Sequence, residues 1–307
     1  MKTVELAIIG GGIAGISCAV YAKRAGLSPV IFERSSLGGQ LLYIDSIDNY
    51  PGVALNTKGA GLLKTLTDTV RELNVEVVET EIKSLKVAAG RPVVLTESGD
   101  HESAAAVIAT GAVFSKLGVE GEEEFTGKGV SWCAVCDGYF FKNKTAAVVG
   151  GGNTAAEDAI YLSSLCKKVY LIHRRDQLRA LDYLQKELFA KDNIEVILNS
   201  RIKAIEGGRF LEAIILESDK KESTLSVNGL FIAVGVKPNT ELCRGVIDMD
   251  EGGFIVTDQV MKTSRDYFYA CGDCRRRPLR QLVTAAAEGA TAALSAYQRL
   301  RGSYVSY

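Results

Sequence analysis

The apolar positions of this chain fall into a unit that occurs twice. Residues 4–9 (Val-Glu-Leu-Ala-Ile-Ile) make an apolar run of strand length. The glycine cluster Gly10-Gly11-Gly12-Ile13-Ala14-Gly15 follows, then an Ala-rich stretch of helical character that ends at Gly26. Pro29-Val30-Ile31-Phe32-Glu33 reads as a second strand and closes on an acid. The unit returns as the run Thr145 to Val149, the turn Gly150-Gly151-Gly152-Asn153-Thr154-Ala155, a helical stretch over 154–165 and the strand Val169-Tyr170-Leu171-Ile172. Short apolar runs that alternate with helical stretches predict an α/β fold with parallel strands buried on both faces.

Each part of the first unit has a task in binding a dinucleotide. Gly10 permits the tight turn, Gly12 lets the backbone approach a pyrophosphate, and Gly15 lets the helix pack close to the strand. The helix N-terminus offers free N–H groups and the positive end of its dipole to phosphates. Glu33 can accept hydrogen bonds from ribose hydroxyls. A glycine turn used only for packing would leave Glu33 unexplained. The second unit differs at one point. Its strand ends not in an acid but in His173-Arg174-Arg175-Asp176, with Arg179 one helical turn beyond Arg175. Guanidinium groups pair with a 2′-phosphate that an acid would repel. The second loop therefore predicts NADPH rather than NADH, against the plainer reading of a solvated basic cluster.

Two more apolar runs punctuate the chain: Val107-Ile108-Ala109-Thr110-Gly111-Ala112, and a single strand over Leu230–Pro238. Each marks a crossing between domains. After Cys271-Gly272-Asp273-Cys274 and Arg280-Gln281-Leu282-Val283-Thr284 the chain enters an Ala-rich helix at 284–300. The second unit is thus expected to be inserted in the first, with domains at 1–113, 114–240 and 241–307. Lys58-Gly59-Ala60-Gly61 has too few glycines for a flexible linker and is expected to open a helix.

Composition narrows the chemistry. A length of 307 residues suits two domains. A net charge of -1 gives no reason to expect nucleic acid or an anionic membrane as partner. No apolar run reaches membrane-span length, and the first residues lack the pattern of a signal peptide. Seven cysteines, an odd and mostly scattered set, point to a reducing, cytoplasmic setting. There, the close pair in Cys133-Ala134-Val135-Cys136-Asp137 reads as catalytic or metal-binding. A zinc site would need two further ligands, which Cys271 and Cys274 supply on paper. The only histidines, His101 and His173, lie near no candidate nucleophile in sequence. Asp137 is then the candidate for moving a proton beside the pair, its plainer role being to cap the following turn. Cys18 and Cys166 fall within helical stretches and are expected to be buried and inert, and Cys243 has no evident role.

Taken in order, Gly10–Gly15, Gly38-Gly39-Gln40-Leu41, Asn49-Tyr50-Pro51-Gly52, Cys133–Gly138, Gly150–Ala155, His173-Arg174-Arg175-Asp176, Gly272-Asp273 and Arg280-Gln281 resemble the low-molecular-weight thioredoxin reductases over nearly the whole length. The resemblance implies a two-dinucleotide-binding flavoprotein fold with two Rossmann-like domains, the second inserted in the first. It implies FAD at Gly10, Gly12, Ile13, Ala14, Gly15, Glu33, Gly39, Gln40, Leu41, Asn49, Ala109, Thr110, Gly111, Gly272, Asp273, Arg280, Gln281 and Leu282. It implies NADPH at Gly150, Gly152, Asn153, Thr154, His173, Arg174, Arg175 and Arg179. Electrons would pass from NADPH to FAD to a Cys133–Cys136 disulfide, with Cys136 against the flavin, and on to thioredoxin by thiol–disulfide exchange. Which sulfur attacks the partner stays open. A homodimer and a rotation between domains, hinged near Val113 and Val236, follow from the same resemblance. Asp273 would hold the ribityl chain, which discounts Cys271 and Cys274 as zinc ligands or as a second redox pair. Trp132, Val135 and Cys274 depart from the family's usual residues. A ferredoxin reductase would have no use for the cysteine pair. A ferredoxin-fed enzyme or a dithiol oxidase would leave Arg174, Arg175 and Arg179 idle. A redox sensor without turnover would lack an output module.

Overall fold

The computed structural model describes residues 2–44, 47–218 and 221–302. It divides into two compact units, Met1–Val113 with Lys237–Tyr307, and Phe114–Val236. The expected boundary at 240 falls at 236 instead. Asn239 shows why: its backbone N–H donates to the Gly111 carbonyl at 3.0 Å, and its amide donates to the Thr110 carbonyl at 3.0 Å. Residues 237–240 are thereby tied to the first unit.

The first unit is built on a sheet in which Glu76–Glu79, Pro29–Glu33, Lys2–Ile9 and Gly99–Ile108 run parallel as neighbours. Phe268–Ala270 also joins Gly99–Ile108 in parallel, while Arg91–Thr96 and Ile82–Ala88 extend the sheet as an antiparallel pair. The period of two sorts the side chains between two cores. Leu6, Ile8, Ile31, Ala105, Val107 and Tyr269 face one core, which the helices Ile13–Arg24, Gly59–Glu72 and Leu282–Arg301 cover. Ala7, Ile9, Phe32, Ala106, Ile108 and Phe268 face the other. Because both faces are covered, the central strands carry nearly continuous apolar sequence rather than alternation.

The second unit repeats the plan on a smaller scale. Ile194–Ile197, Lys168–Ile172, Thr145–Gly150, Gly229–Ala233 and Val130–Ser131 form a parallel sheet in that order. The helices Asn153–Ser163 and Asp182–Phe189 cover one face through Ala155, Ala159, Leu162 and Leu184. An antiparallel sheet of Arg201–Gly207, Leu211–Ser218 and Lys221–Ser226 covers the other through Ile202, Ile205 and Ile214.

The run 230–238, read as one strand, is two: Gly229–Ala233 and Val236–Pro238. Gly235 separates them with φ +126°, a backbone conformation that breaks the ladder and that side chains disfavour. The second of these strands pairs with Ala112–Phe114, so the two crossings of the chain run side by side. The expected helix at 284–300 spans Leu282–Arg301, and that at 154–165 spans Asn153–Ser163.

Candidate functional site

Three stretches of the first unit meet at the carboxyl ends of its parallel strands, the usual ligand-binding edge of such a sheet. They are the loop after Lys2–Ile9, the turn after Gly99–Ile108 and the Gly-Asp turn after Phe268–Ala270. The first loop leads into Ile13–Arg24, whose N-cap is Gly12 and whose first turn has no side-chain cap. A Cβ at Gly12 would meet nothing within 4 Å, so the backbone there faces open space. At Gly15 the reverse holds: a Cβ would lie 1.9 Å from the Gly10 carbonyl oxygen, so the helix start closes onto the loop only without a side chain. Ile13, Ala14 and Gly15 form the first turn, with N–H groups directed as an anion site requires. Glu33 does more than end its strand. Its Oε2 accepts from the Gly11 N–H at 2.7 Å, which fixes the carboxylate beside the loop.

Several of the remaining residues of this set lie beside that loop. Gly39 and Leu41 belong to the 3₁₀ turn Gly39–Tyr43, and a Cβ at Gly39 would lie 3.2 Å from Gly12 Cα. Gln40 donates to the Ala112 carbonyl at 3.0 Å. Asn49 donates to Gln281 Oε1 at 3.1 Å, joining two residues 232 positions apart. The Ala109 N–H donates to the Ile9 carbonyl at 2.8 Å, which sets Ala109, Thr110 and Gly111 beside the first loop. Gly272 takes φ +76°, and a Cβ on it would lie 2.9 Å from Ala14 Cβ. The Gly-Asp turn therefore abuts the first helical turn. Burial raises the Asp273 carboxyl, and Arg277 opposes that rise. Arg280 lies 4.3 Å over the Phe254 ring, and its Nε is buried with no hydrogen-bond partner among the described residues. Leu282 starts the C-terminal helix, whose N-cap is Gln281.

In the second unit Gly152 is likewise the N-cap of a helix without a side-chain cap, and a Cβ there would meet nothing within 4 Å. Asn153 is the first helical residue and accepts from the Leu181 N–H at 3.0 Å; Thr154 is exposed beside it. The Arg179 N–H donates to the Gly151 carbonyl at 2.6 Å, so the arginine-bearing segment is tied to the glycine loop. Arg174, Arg175 and Arg179 are exposed. His173 is not among them. It is buried against the loop, where a Cβ on Gly151 would lie 2.2 Å from its Cε1. Burial lowers its pKa, and Arg179 and Arg175 lower it further. Glu33 and His173 thus occupy matching places: each follows a loop by the same spacing and rests on the middle glycine.

Cys133 and Cys136 form a disulfide with Cα atoms 5.3 Å apart. They sit on the one-turn helix Ala134–Asp137, capped by Cys133, which follows the edge strand Val130–Ser131. The Cys136 N–H donates to Cys133 Sγ at 3.2 Å. Ser131, which carries no motif in the sequence, is buried and binds both ends of this turn. Its hydroxyl donates to Asp137 Oδ2 at 2.5 Å and accepts from the Cys133 N–H at 3.1 Å. Glu288 belongs to no motif either. It is the only charged residue from Gln281 to Gln298, and a lone carboxylate in an Ala-rich helix is the signal that singles it out. Its carboxylate accepts from the Gly272 N–H at 2.8 Å.

The other cysteines, Cys18, Cys166, Cys243, Cys271 and Cys274, are free and buried. Burial pushes the thiols of Cys166 and Cys274 up to about 11 and those of Cys18, Cys243 and Cys271 higher still, so none is a thiolate at neutral pH. Among the described residues no group of three or more His, Cys, Asp or Glu is arranged to hold a metal ion.

Residues 4–289 match the family described as pyridine nucleotide-disulphide oxidoreductase. A thioredoxin reductase of Peptoclostridium acidaminophilum is 34% identical over 311 residues, covering 98% of both chains. The chain belongs to this family, in its thioredoxin reductase branch. A thioredoxin reductase of Listeria innocua is 39% identical over 298 residues, covering 96% of this chain and 93% of the relative. The crystal structure of a thioredoxin reductase from Streptococcus pyogenes superposes with a TM-score of 0.94 at 39% identity, covering 98% and 99% of the two chains. Family membership accounts for the pairing of two glycine loops with one closed disulfide.

Proposed function

We propose that the chain is an NADPH-dependent, FAD-containing thioredoxin-disulfide reductase. The observation that carries this reading is the Cys133–Cys136 disulfide in the same unit as the arginine-flanked glycine loop. FAD fits the first unit: the open backbone at Gly12 and the uncapped helix start suit a pyrophosphate, and the Glu33 carboxylate suits a ribose. Asp273, and Arg280 whose guanidinium acts on it, supply further polar groups. NADPH fits the second unit, where Gly152 is equally open and three exposed guanidiniums suit a 2′-phosphate. His173 supports this loop from below.

With FAD held by the first glycine loop, Glu33 and Asp273, and NADPH by the second loop and its arginines, the cofactors would supply the two electrons that open the disulfide. Cleavage leaves two sulfurs that need one proton between them if one is to stay a nucleophile. Asp137 is the residue that holds and moves that proton, since its carboxyl lies directly after Cys136 on the same turn. Ser131 orients that carboxyl and, through the Cys133 N–H, the start of the turn. The remaining thiolate attacks a disulfide of thioredoxin, and exchange returns the Cys133–Cys136 bond. The disulfide and the NADPH loop share one unit and the flavin belongs to the other. A rotation about the crossings Ala112–Phe114 and Val236–Pro238 lets each face the flavin in turn. A homodimer and a cytoplasmic location complete the reading; no helix among the described residues is long and apolar enough to cross a membrane.

The test is thiol release from oxidised thioredoxin by the flavin-loaded protein. Release should require NADPH, thioredoxin and both cysteines. A Cys136→Ser variant that still reduced thioredoxin would overturn the disulfide relay, and equal rates with NADH would overturn the role of the arginines.

A further inference from the structure

The Gly-Asp turn of the first unit is held by a buried ion cluster. Glu288, on the C-terminal helix, is its centre. Oε2 accepts from the Gly272 N–H at 2.8 Å and from Arg277 Nη1 at 3.2 Å, and Oε1 accepts from Arg275 Nη1 at 2.5 Å. Arg277 Nη1 also reaches Asp273 Oδ1 at 3.5 Å. Arg275 is anchored separately by its Nε, which donates to Thr257 Oγ1 at 2.8 Å. The side chains are 14% exposed for Glu288 and Arg275, 3% for Arg277 and 20% for Asp273, so water screens these charges weakly.

Two carboxylates, Glu288 and Asp273, face two guanidiniums, Arg275 and Arg277, and the Arg280 guanidinium also acts on Asp273. Holding four charges out of water is costly, and an apolar set of the same volume would serve the fold as well or better. The cluster's geometry points instead at the turn. Glu288 binds the Gly272 backbone directly, and Arg277 shares its one Nη1 between Glu288 and Asp273. The position of the Asp273 carboxylate is thereby fixed from the helix. The same helix is seated against the first glycine loop, because Gly289, next to Glu288, lets the Ala14 carbonyl approach to where a Cβ would be 2.1 Å away.

We propose that Glu288 is a positioning residue for the flavin dinucleotide: through Gly272 and Arg277 it sets Asp273 relative to the helix start at Gly12, and the affinity for FAD depends on its charge. This rests on the reading that the first unit binds FAD through Asp273. Glu288 itself need not touch the cofactor. Removing its charge leaves Arg277 without its nearer carboxylate, so that Arg277 draws more strongly on Asp273 and shifts it from its place.

The test measures FAD binding to flavin-stripped protein by quenching of flavin fluorescence, alongside the thermal melt of the stripped protein. Four forms are compared: the unaltered protein, Asp273→Asn, Glu288→Gln, and the charge-balanced double variant Arg277→Gln/Glu288→Gln. Glu288→Gln keeps an acceptor for Gly272 but loses the charge. It should weaken FAD binding about tenfold or more, the loss expected for a buried charged hydrogen bond. The double variant should regain the melting temperature of the stripped protein while its FAD affinity stays low, which separates positioning from folding. FAD dissociation constants within about twofold of the unaltered protein in both Glu288 variants, with Asp273→Asn impaired, would overturn the proposal. Unimpaired binding by Asp273→Asn would overturn the underlying reading of Asp273 instead, and the proposal with it.

Discussion

The Ser131 hydroxyl donates to Asp137 Oδ2 at 2.5 Å across the turn that carries the disulfide. The same oxygen accepts from the Cys133 N–H, so one buried group orients both the carboxylate and the backbone of the first cysteine. Two positions separate Ser131 from Cys133 and six separate it from Asp137, so the serine spans the whole turn. If Asp137 moves the proton, its placement depends on this serine.

Ser131→Ala should therefore slow thioredoxin reduction about tenfold to a hundredfold, within the range a positioned acid–base group contributes. Ser131→Thr, which keeps the hydroxyl, should recover much of the rate. Rapid-mixing measurements of flavin reduction by NADPH should show no change in either variant, because that step precedes the disulfide. An Ala variant with unaltered thioredoxin turnover would remove Ser131 from the mechanism.

The arginines after the second loop should govern cofactor choice. Arg174→Ala/Arg175→Ala should lower kcat/KM for NADPH by about ten- to a hundredfold while leaving that for NADH nearly unchanged, since only the former carries the phosphate. Steady-state kinetics with both nucleotides decide it. A parallel loss for the two would mean that the arginines support the fold of the loop instead.

Gly151 and His173 should behave as a pair. An alanine at 151 would place its Cβ 2.2 Å from His173 Cε1, a clash with a buried ring. Gly151→Ala should cost about 1–3 kcal/mol of stability and weaken NADPH binding. Adding His173→Ala should relieve much of that cost, so a double-mutant cycle should report strong coupling. Denaturant unfolding and nucleotide titration of the four cycle members measure it; additive effects would contradict the packing seen here.

Asp158, on the helix that starts at the second loop, provides a pH signature. Burial raises its carboxyl to about 7, with Glu157 adding repulsion. The folded pKa lies above the unfolded value of 3.8. Below that value the group is protonated in both states and imposes no penalty. Between it and about 7 the unfolded chain releases a proton that the folded chain keeps, so stability falls as pH rises, and the penalty is complete above about 7. Asp158→Asn should then be more stable than the unaltered protein at pH about 8 and show little gain near pH about 4, as read from thermal melts of nucleotide-free protein. A gain independent of pH would rule out the carboxylate as its source.

Much of the site was legible because its chemistry is local. Gly10 to Glu33 and Gly150 to Arg179 each lie within one strand–turn–helix–strand unit, and Cys133 to Asp137 within one helical turn. Short spacing along the chain limits the distances such groups can take, so residue type and spacing predict where the backbone brings them. Breaks in the pattern were less legible. The run 230–238 has apolar content throughout, and only the φ +126° of Gly235 divides it. His173 reads as one more cationic neighbour of Arg174, yet it is buried against Gly151 just beyond the end of its strand.

Residue order and spacing are enough to predict two glycine loops with different flanking charges, one close thiol pair and an α/β plan. These follow from backbone geometry that nearby residues set for themselves. Tertiary structure alone decided that Ser131 answers to Asp137 and that Glu288 answers to Gly272, Arg275 and Arg277. The Ser131 contact depends on how the chain turns back between the edge strand and the short helix. The Glu288 contacts depend on how the C-terminal helix seats on the first loop, which close contacts such as Gly289 on Ala14 allow across 275 positions of chain. Burial then gives these charges and hydroxyls a strength they would lack in water, and no periodicity in the sequence records it.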